Sequence, residues 1–302
     1  LRLHFPDAPV LVMGALTEGE LRAALDARVE VAVWRETFRE LCSRLADERG
    51  EAAKVHLKLD SGMGRLGERD PGRLIELART CEANPDLRVA GVWTHFATAD
   101  ELDDTHLRDQ LAAFSPVAAA VREIAPGCTV HAANSAATLR EPATHFDMVR
   151  CGIAIYGLDP FHRDPTEHGL EPALELHSYV ADVKRFERGA SAGYGRRWHA
   201  PADTWIGVLP IGYGDGVRRG LTNNADVLVG GRRYPLVGTV SMDNITIDLG
   251  PETDVEPGAP AVLIGAQGTD RIAAEELAAR LDTINYEITC GISSRVPREM
   301  SG

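Results

Sequence analysis

Over the first half of the chain, short apolar runs alternate with longer amphipathic stretches. The runs are VLVM at 10–13, VEVAVW at 29–34, VHLKLD at 55–60, VAGVW at 89–93, CTVHAA at 128–133 and IAIYG at 153–157. This alternation predicts strands with helices between them, and hence a parallel α/β arrangement. Helix starts are signalled by Thr17 with Glu20, a capping box, and by Asp70 followed by Pro71, an N-cap with proline at the first helical position. Six strands in series are two short of an eight-stranded (β/α) barrel of the TIM type, which two further βα units of roughly 30 residues each would complete. An open doubly wound sheet accommodates six strands as well, so periodicity leaves both architectures standing. The chain starts without methionine and enters an apolar run almost at once, which reads as a barrel lacking its first two βα units.

Beyond residue 171 the texture changes to closely spaced β-like runs: TWIGVLPIG at 204–212, ADVLV at 225–229, RYPLVGTV at 233–240, NITIDL at 244–249, APAVLIG at 259–265 and INYEITC at 284–290. Gly230-Gly231 is a two-residue hairpin signal, and only Ile272 to Leu281 reads as helical. The boundary is expected near Glu171-Pro172, giving a barrel domain over 1–170 and a mostly β domain over 171–302.

Length agrees with this division, since 302 residues suit about two domains at ~150 each. The net charge of -13, with lysine only at 54, 58 and 184, excludes a phosphate-backbone binder, so no nucleic-acid partner is expected. The 5 cysteines form neither a CxxC pair nor a finger-like spacing, which predicts no disulfide framework, no metal site and a reducing, cytoplasmic setting. No apolar run approaches the roughly 20 residues that cross a bilayer, and LRLHFPDAPV lacks the apolar core of a signal peptide, so no membrane partner is expected.

Gly62-Met63-Gly64-Arg65-Leu66-Gly67 matches the dinucleotide pattern G-x-G-x-x-G, but Pro71 places the helix start after the last glycine, which argues against a dinucleotide turn. In a barrel, residues just past the strands' carboxyl ends converge on one mouth. Those positions hold Arg65, His95, Asn134, Ser135 and the segment Arg150-Cys151-Gly152-Ile153. A guanidinium, an imidazole, a hydroxyl and glycine-flanked N–H groups suit a phosphorylated, electron-accepting cofactor. Singly, each has an ordinary reading: Arg65 as a surface ion pair, His95 as a hydrogen-bonded core histidine, Ser135 as a helix N-cap.

The segments HLKLDSGMGRLG, THFATADE, HAANSAATL, MVRCGIAIYGL, SAGYGRRW, LPIGYGDG, GTVSMDN and ISSRVPR resemble, in the same order, the signature segments of bacterial alanine racemases, over essentially the whole chain. The resemblance implies interconversion of L- and D-alanine through a pyridoxal-phosphate aldimine with two bases, in a homodimer whose active sites are completed by the partner's β domain. Arg150 would face the pyridine nitrogen with His95 supporting it, and Asn134, Ser135 and the backbone of Gly152 and Ile153 would complete the cofactor site around the phosphate. Arg65 would lie beside the phenolic oxygen and the substrate carboxylate, and Tyr194 would be the base delivered from the other subunit. Tyr213 matches a tyrosine at the site entrance, and Met242 with Asp243 a segment near the substrate. Lys58 stands where some members carry a carbamylated lysine that buttresses Arg65; a plain salt-bridged lysine is the alternative.

An arginine holds its proton, so facing the ring nitrogen it keeps the ring a weaker electron sink than a carboxylate partner would, which restrains transamination. A free tyrosine titrates at about 10, so Tyr194 needs positive charge nearby, which Arg150 and His95 could supply. Two departures stand out. The family's Schiff-base lysine lies in a K-A-N-A-Y-G-like segment, and no lysine precedes position 54, so this chain alone is expected not to racemise by the usual route. A tyrosine common two places before Val296-Pro297 is Ser294 here. A serine or broad-specificity racemase, or an inactive cofactor-binding homologue, are the alternatives.

Overall fold

The structure, a computed structural model, describes residues 1–102 and 105–300. It divides into two compact units, Leu1–Gly152 and Ile153–Gly302.

In the first unit the elements run β1 (Leu11–Val12), α1 (Glu18–Asp26), β2 (Glu30–Val33), α2 (Glu36–Arg49), β3 (Ala53–Lys58), α3 (Pro71–Glu82), β4 (Leu87–Trp93), α4 (His106–Ile124), β5 (Thr129–His131) and α5 (Ser135–Arg140). All five strands are parallel and lie in sequential order, β1-β2-β3-β4-β5. Sequential order is that of a barrel wall; a doubly wound sheet reverses its strand order at a switch point. The helix starts behave as the sequence predicts. Thr17 and Glu20 cap each other reciprocally, and Asp70 accepts from the Arg73 N–H ahead of Pro71. Apolar faces of the helices, Leu21 and Leu25 of α1, Cys42 and Leu45 of α2, Leu74 and Cys81 of α3, bury fully and cover the sheet's outer side.

One expected strand is absent. IAIYG forms a 3-10 turn over Ile153–Tyr156, with Ile155 71% and Tyr156 62% exposed. Gly157 ends it at φ +71, where a Cβ would sit 1.6 Å from the Glu171 carbonyl oxygen. A single bridge from His131 to Met148 is the only further parallel pairing on that edge among the described residues.

The second unit contains β6 (Leu176–Tyr179), β7 (Asp182–Phe186), β8 (Ser191–Ala192), β9 (Trp198–His199), β10 (Thr204–Leu209), β11 (Asp226–Val229), β12 (Arg232–Pro235), β13 (Ile245–Gly250), β14 (Pro260–Gln267), β15 (Asp270–Ile272), α6 (Ala274–Arg280) and α7 (Asn285–Cys290). Its strands form antiparallel sheets in the orders β13-β10-β7, β12-β11-β14-β15 with β6 beside β14, and β8-β9. Gly230 and Gly231, at φ +60 and +76, make the β11–β12 hairpin turn in the left-handed region that glycine favours. The expected strand INYEITC is helix α7. Ile288 within it and Ile292 just past its end are both buried, four positions apart, a helical spacing, and this packing outweighs β-branched propensity.

Candidate active site

The glycines of GMGRLG shape a loop that returns to its own strand. Leu59 pairs with Glu68, the Asp60 N–H donates to Glu68 O (2.9 Å) and the Glu68 N–H to Lys58 O (3.0 Å). Asp60 Oδ1 accepts from the Gly62 and Gly64 N–H groups at 3.2 and 2.9 Å. Gly67, at φ +130, closes the loop where a Cβ would lie 2.6 Å from Asp60 N. The loop holds Arg65 exposed past the end of β3, with no ion pair among the described residues. Gly67→Ala is therefore expected to cost about 1–3 kcal/mol from backbone strain alone and to displace Arg65. Urea unfolding checks this; an unchanged midpoint would contradict it.

Arg150 occupies the carboxyl edge of β3, β4 and β5. Its Nη1 donates to His131 Nδ1 at 2.9 Å, and its Nη2 donates to Thr94 O (2.7 Å), Ala132 O (3.0 Å) and, more distantly, His95 Nδ1 (3.3 Å). The guanidinium lies 4.8 Å from the centre of the Trp93 ring. Every one of these partners is neutral, and no carboxylate pairs with Arg150 among the described residues. Its Nε–H and one Nη1 N–H have no protein acceptor there, which leaves directed donors for a ligand. Burial pushes Arg150 down to about 10, which keeps it a cation at neutral pH.

Lys58, the last residue of β3, is 2% exposed, and its Nζ stands 4.3 Å from the centre of the Trp93 ring. Burial, then the nearby Arg65 and Arg150, push it down to about 8. No carboxylate lies within salt-bridge reach of its Nζ among the described residues, so the salt-bridged alternative finds no partner. A neutral fraction of the amine at neutral pH is what carbamylation requires.

The histidines correct one expectation. His95 is pushed down to about 4 by burial and by Arg150, Arg65 and Lys58, so it is neutral and adds no positive charge beside Arg150. His131 is pushed down to about 2 by burial, Arg150 and His56, and His56 is lowered mainly by burial. In the unfolded chain these rings titrate near 6.5. Above that value they are neutral in both states; below it the unfolded chain binds protons that the folded one refuses. Stability is thus expected to fall as pH drops from about 6.5 toward 4, by up to about 1.4 kcal/mol per pH unit for each ring. Urea midpoints between pH 7 and pH 5 test this, and a flat profile, or one unaltered by His95→Asn, would refute it.

Asn134 caps α5, accepting from the Ala137 N–H at 3.0 Å, so the cap is Asn134 and Ser135 is the first helical residue. Ser135 Oγ accepts from the Gly152 N–H at 3.0 Å. A Cβ at Gly152 would meet nothing within 4 Å, so the backbone beside the serine opens onto free space. Ile153, the next residue, starts the 3-10 turn of the second unit and is buried.

In the second unit the remaining candidates sit on loops pinned to one another. Tyr194 starts a 3-10 turn and is 75% exposed; its carbonyl accepts from Thr239 Oγ1 at 2.6 Å, and Gly193, at φ +72, is so close to Thr239 that a Cβ would lie 2.8 Å from its nitrogen. The Tyr213 N–H donates to Ser241 O (3.0 Å) and the Gly214 N–H to Met242 O (2.9 Å), so Tyr213 and Met242, both exposed, share one surface. Asp243 pairs with Arg295 at 2.6 Å, which also reaches Asp215 at 3.3 Å. Ser294 is exposed. Sequence reasoning missed His131, Thr94 and Trp93 as partners of Arg150, and Arg295 as the anchor of the Met242-Asp243 loop.

A sequential (β/α) barrel wall with a carboxylate-free guanidinium at its carboxyl edge, followed by a β unit displaying tyrosines, defines a two-unit barrel enzyme. Family models for the alanine racemase N-terminal and C-terminal domains match residues 1–160 and 173–300. An alanine racemase of Symbiobacterium thermophilum is 42% identical over 100% of this chain and 80% of its own length. Among solved structures, the alanine racemase from Streptomyces coelicolor A3(2) superposes with a TM-score of 0.93 at 37% identity, covering 99% of this chain and 80% of the other. That of Bacillus anthracis with bound L-Ala-P gives 0.87 at 38% identity, covering 98% and 76%. The chain belongs to the alanine racemase family, and it is an amino-acid racemase of the isomerase class.

Proposed function

We propose that the protein interconverts L- and D-alanine with pyridoxal phosphate, in a homodimer whose sites take Tyr194 from the second copy. The observation that carries this reading is Arg150, a half-buried cation held by neutral acceptors alone with N–H groups left for a ring nitrogen. The donor set fits the cofactor: Arg150 at the ring nitrogen, and Ser135 with the backbone of Gly152 and Ile153 at the phosphate, next to the Asn134 cap. When bound, pyridoxal phosphate draws electrons from the substrate's Cα and makes its proton removable.

The chain's own groups do the rest. Arg65, exposed and unpaired beyond β3, binds the substrate carboxylate. His95, whose Nδ1 accepts from Arg150, carries its proton on Nε2 and donates it toward the phenolic oxygen of the second copy's Tyr194. That oxygen, stabilised by the Arg150 cation, takes the α-proton on one face and returns one there. Met242, Asp243 and Tyr213 line the approach from the second copy, and their exposure in a single copy suits such a docked arrangement. Among residues 1–302 Tyr194 is the group placed to act as one of the two bases. The relatives described above are named alanine racemases, which favours alanine over serine.

Expressed from its gene in a D-alanine auxotroph, the protein is expected to restore growth without added D-alanine, and when purified with pyridoxal phosphate to bring either alanine enantiomer to a 1:1 mixture. Failure to form D-alanine from L-alanine, with the cofactor bound, would overturn the reading.

A further inference from the structure

We propose that Glu30, at the amino edge of the parallel sheet, is a positioning residue for Arg150, acting through the two imidazoles of His56 and His131. Glu30 opens β2, His56 lies within β3, His131 ends β5, and Arg150 stands beyond the carboxyl edge, so the four side chains cross the sheet's inner face from one rim to the other. The contacts are continuous: Glu30 Oε2 to His56 Nε2 at 2.7 Å, His56 Nδ1 to His131 Nε2 at 2.9 Å, and His131 Nδ1 to Arg150 Nη1 at 2.9 Å.

With both imidazoles neutral, one placement of the protons satisfies all three contacts. A guanidinium only donates, so His131 Nδ1 accepts and the His131 proton is on Nε2. That N–H donates to His56 Nδ1, which places the His56 proton on Nε2, where it donates to the carboxylate. Each bond polarises the next, so the carboxylate's charge is felt at the guanidinium with no carboxylate in its own shell. A donor in place of Glu30 reverses the order: His56 would carry its proton on Nδ1, His131 on Nδ1, and Arg150 would face another N–H.

The fold makes room for this path. β3 and β5 are both neighbours of β4, and the His56–His131 contact passes over Gly91 of β4. A Cβ at Gly91 would lie 2.3 Å from His56 Nδ1 and 2.8 Å from Thr129 O, so a side chain there would occupy the contact itself. Trp93 stacks on His131 with ring centres 5.6 Å apart and planes 8° from parallel, which fixes the ring. The other charged group against this path is Lys54, which pairs with Glu30 at 3.3 Å from the outer rim.

The link from Arg150 to a ring nitrogen rests on the cofactor reading above; the order of the protons does not. The test uses cofactor-free protein with ¹⁵N-labelled histidine at pH 7. His56 and His131 are each expected to show a protonated Nε2 and an unprotonated Nδ1, with a coupling through the hydrogen bond between His131 Nε2 and His56 Nδ1. Glu30→Gln, which keeps an acceptor oxygen, retains the pattern. Glu30→Lys reverses or scrambles it at His131, and Gly91→Ala abolishes the coupling. In the same series the dissociation constant for pyridoxal phosphate rises roughly tenfold for Glu30→Lys and stays within a few-fold for Glu30→Gln, the scale of one charge-assisted hydrogen bond. A protonated Nδ1 on His131, no coupling in the unaltered protein, or an unchanged His131 pattern in Glu30→Lys would overturn the proposal. Failure of the unaltered protein to bind pyridoxal phosphate would count against the cofactor reading and leave the proton order to be decided by the spectra.

Discussion

Tyr194→Phe is expected to lower racemisation in both directions by about 10²–10⁴, the usual worth of a positioned base, while folding and cofactor binding survive. The tyrosine is 75% exposed within its own unit, and its turn is held by backbone contacts, through Thr239 and Gly193, that the hydroxyl does not enter. Removing the oxygen therefore subtracts chemistry and leaves packing intact. The two faces of alanine separate the roles. In heavy water the variant should still exchange the α-hydrogen of D-alanine through the lysine base of the opposite face and exchange that of L-alanine far more slowly. Because the tyrosine is proposed to come from the second copy, a mixed dimer of Tyr194→Phe with a chain dead in that lysine should regain one working site. Equal loss of exchange for both enantiomers, or no rescue in mixed dimers that demonstrably form, would show the role or the subunit of Tyr194 to be wrong.

Much of this arrangement was legible from residue patterns. The β1 to β5 runs and the caps at Thr17 and Asp70 follow from local signals, since each element's own residues carry its period or its cap. Two runs read wrongly, for different reasons. At 153–157 two flanking glycines and the close packing of Gly157 on Glu171 bend the backbone into a turn, a constraint set by residues far along the chain. At 284–290 β-branched residues suggested a strand although their four-residue spacing was helical. Strands such as β7, with the sequence DVKRF, were missed because an edge strand with little buried area carries no apolar alternation. The candidate residues at the carboxyl edge could be placed from strand ends. Their charge states could not: that His95 is neutral depends on burial and on three cations brought in from separate loops and strands. His56 and His131 were invisible for a similar reason, because only pairing across β4 sets them side by side. An inward-facing histidine two residues before Lys58 on β3 was the one available hint.

Arg150→Glu is expected to change what reaction occurs as well as how fast. In the native site Thr94 O, Ala132 O, His131 Nδ1 and His95 Nδ1 all accept from the guanidinium, so a carboxylate there sets acceptor against acceptor. Facing the proposed ring nitrogen, the carboxylate is an acceptor and would hold a proton on that nitrogen, which the guanidinium, a donor only, would not. A protonated ring is a stronger electron sink, which lengthens the life of the deprotonated substrate and lets a proton return to the wrong carbon. Racemisation should fall by roughly 10²–10³, the scale on which loss of one preorganised electrostatic contact acts. The share of turnovers that end in pyruvate should rise, and it can be counted with lactate dehydrogenase against D-alanine formed. Arg150→Lys is the control: it keeps the cation, loses the fork, and should weaken cofactor binding while leaving that share near its native value. The same ratio of pyruvate to D-alanine in Arg150→Glu as in the unaltered enzyme would show that Arg150 does not govern the ring nitrogen.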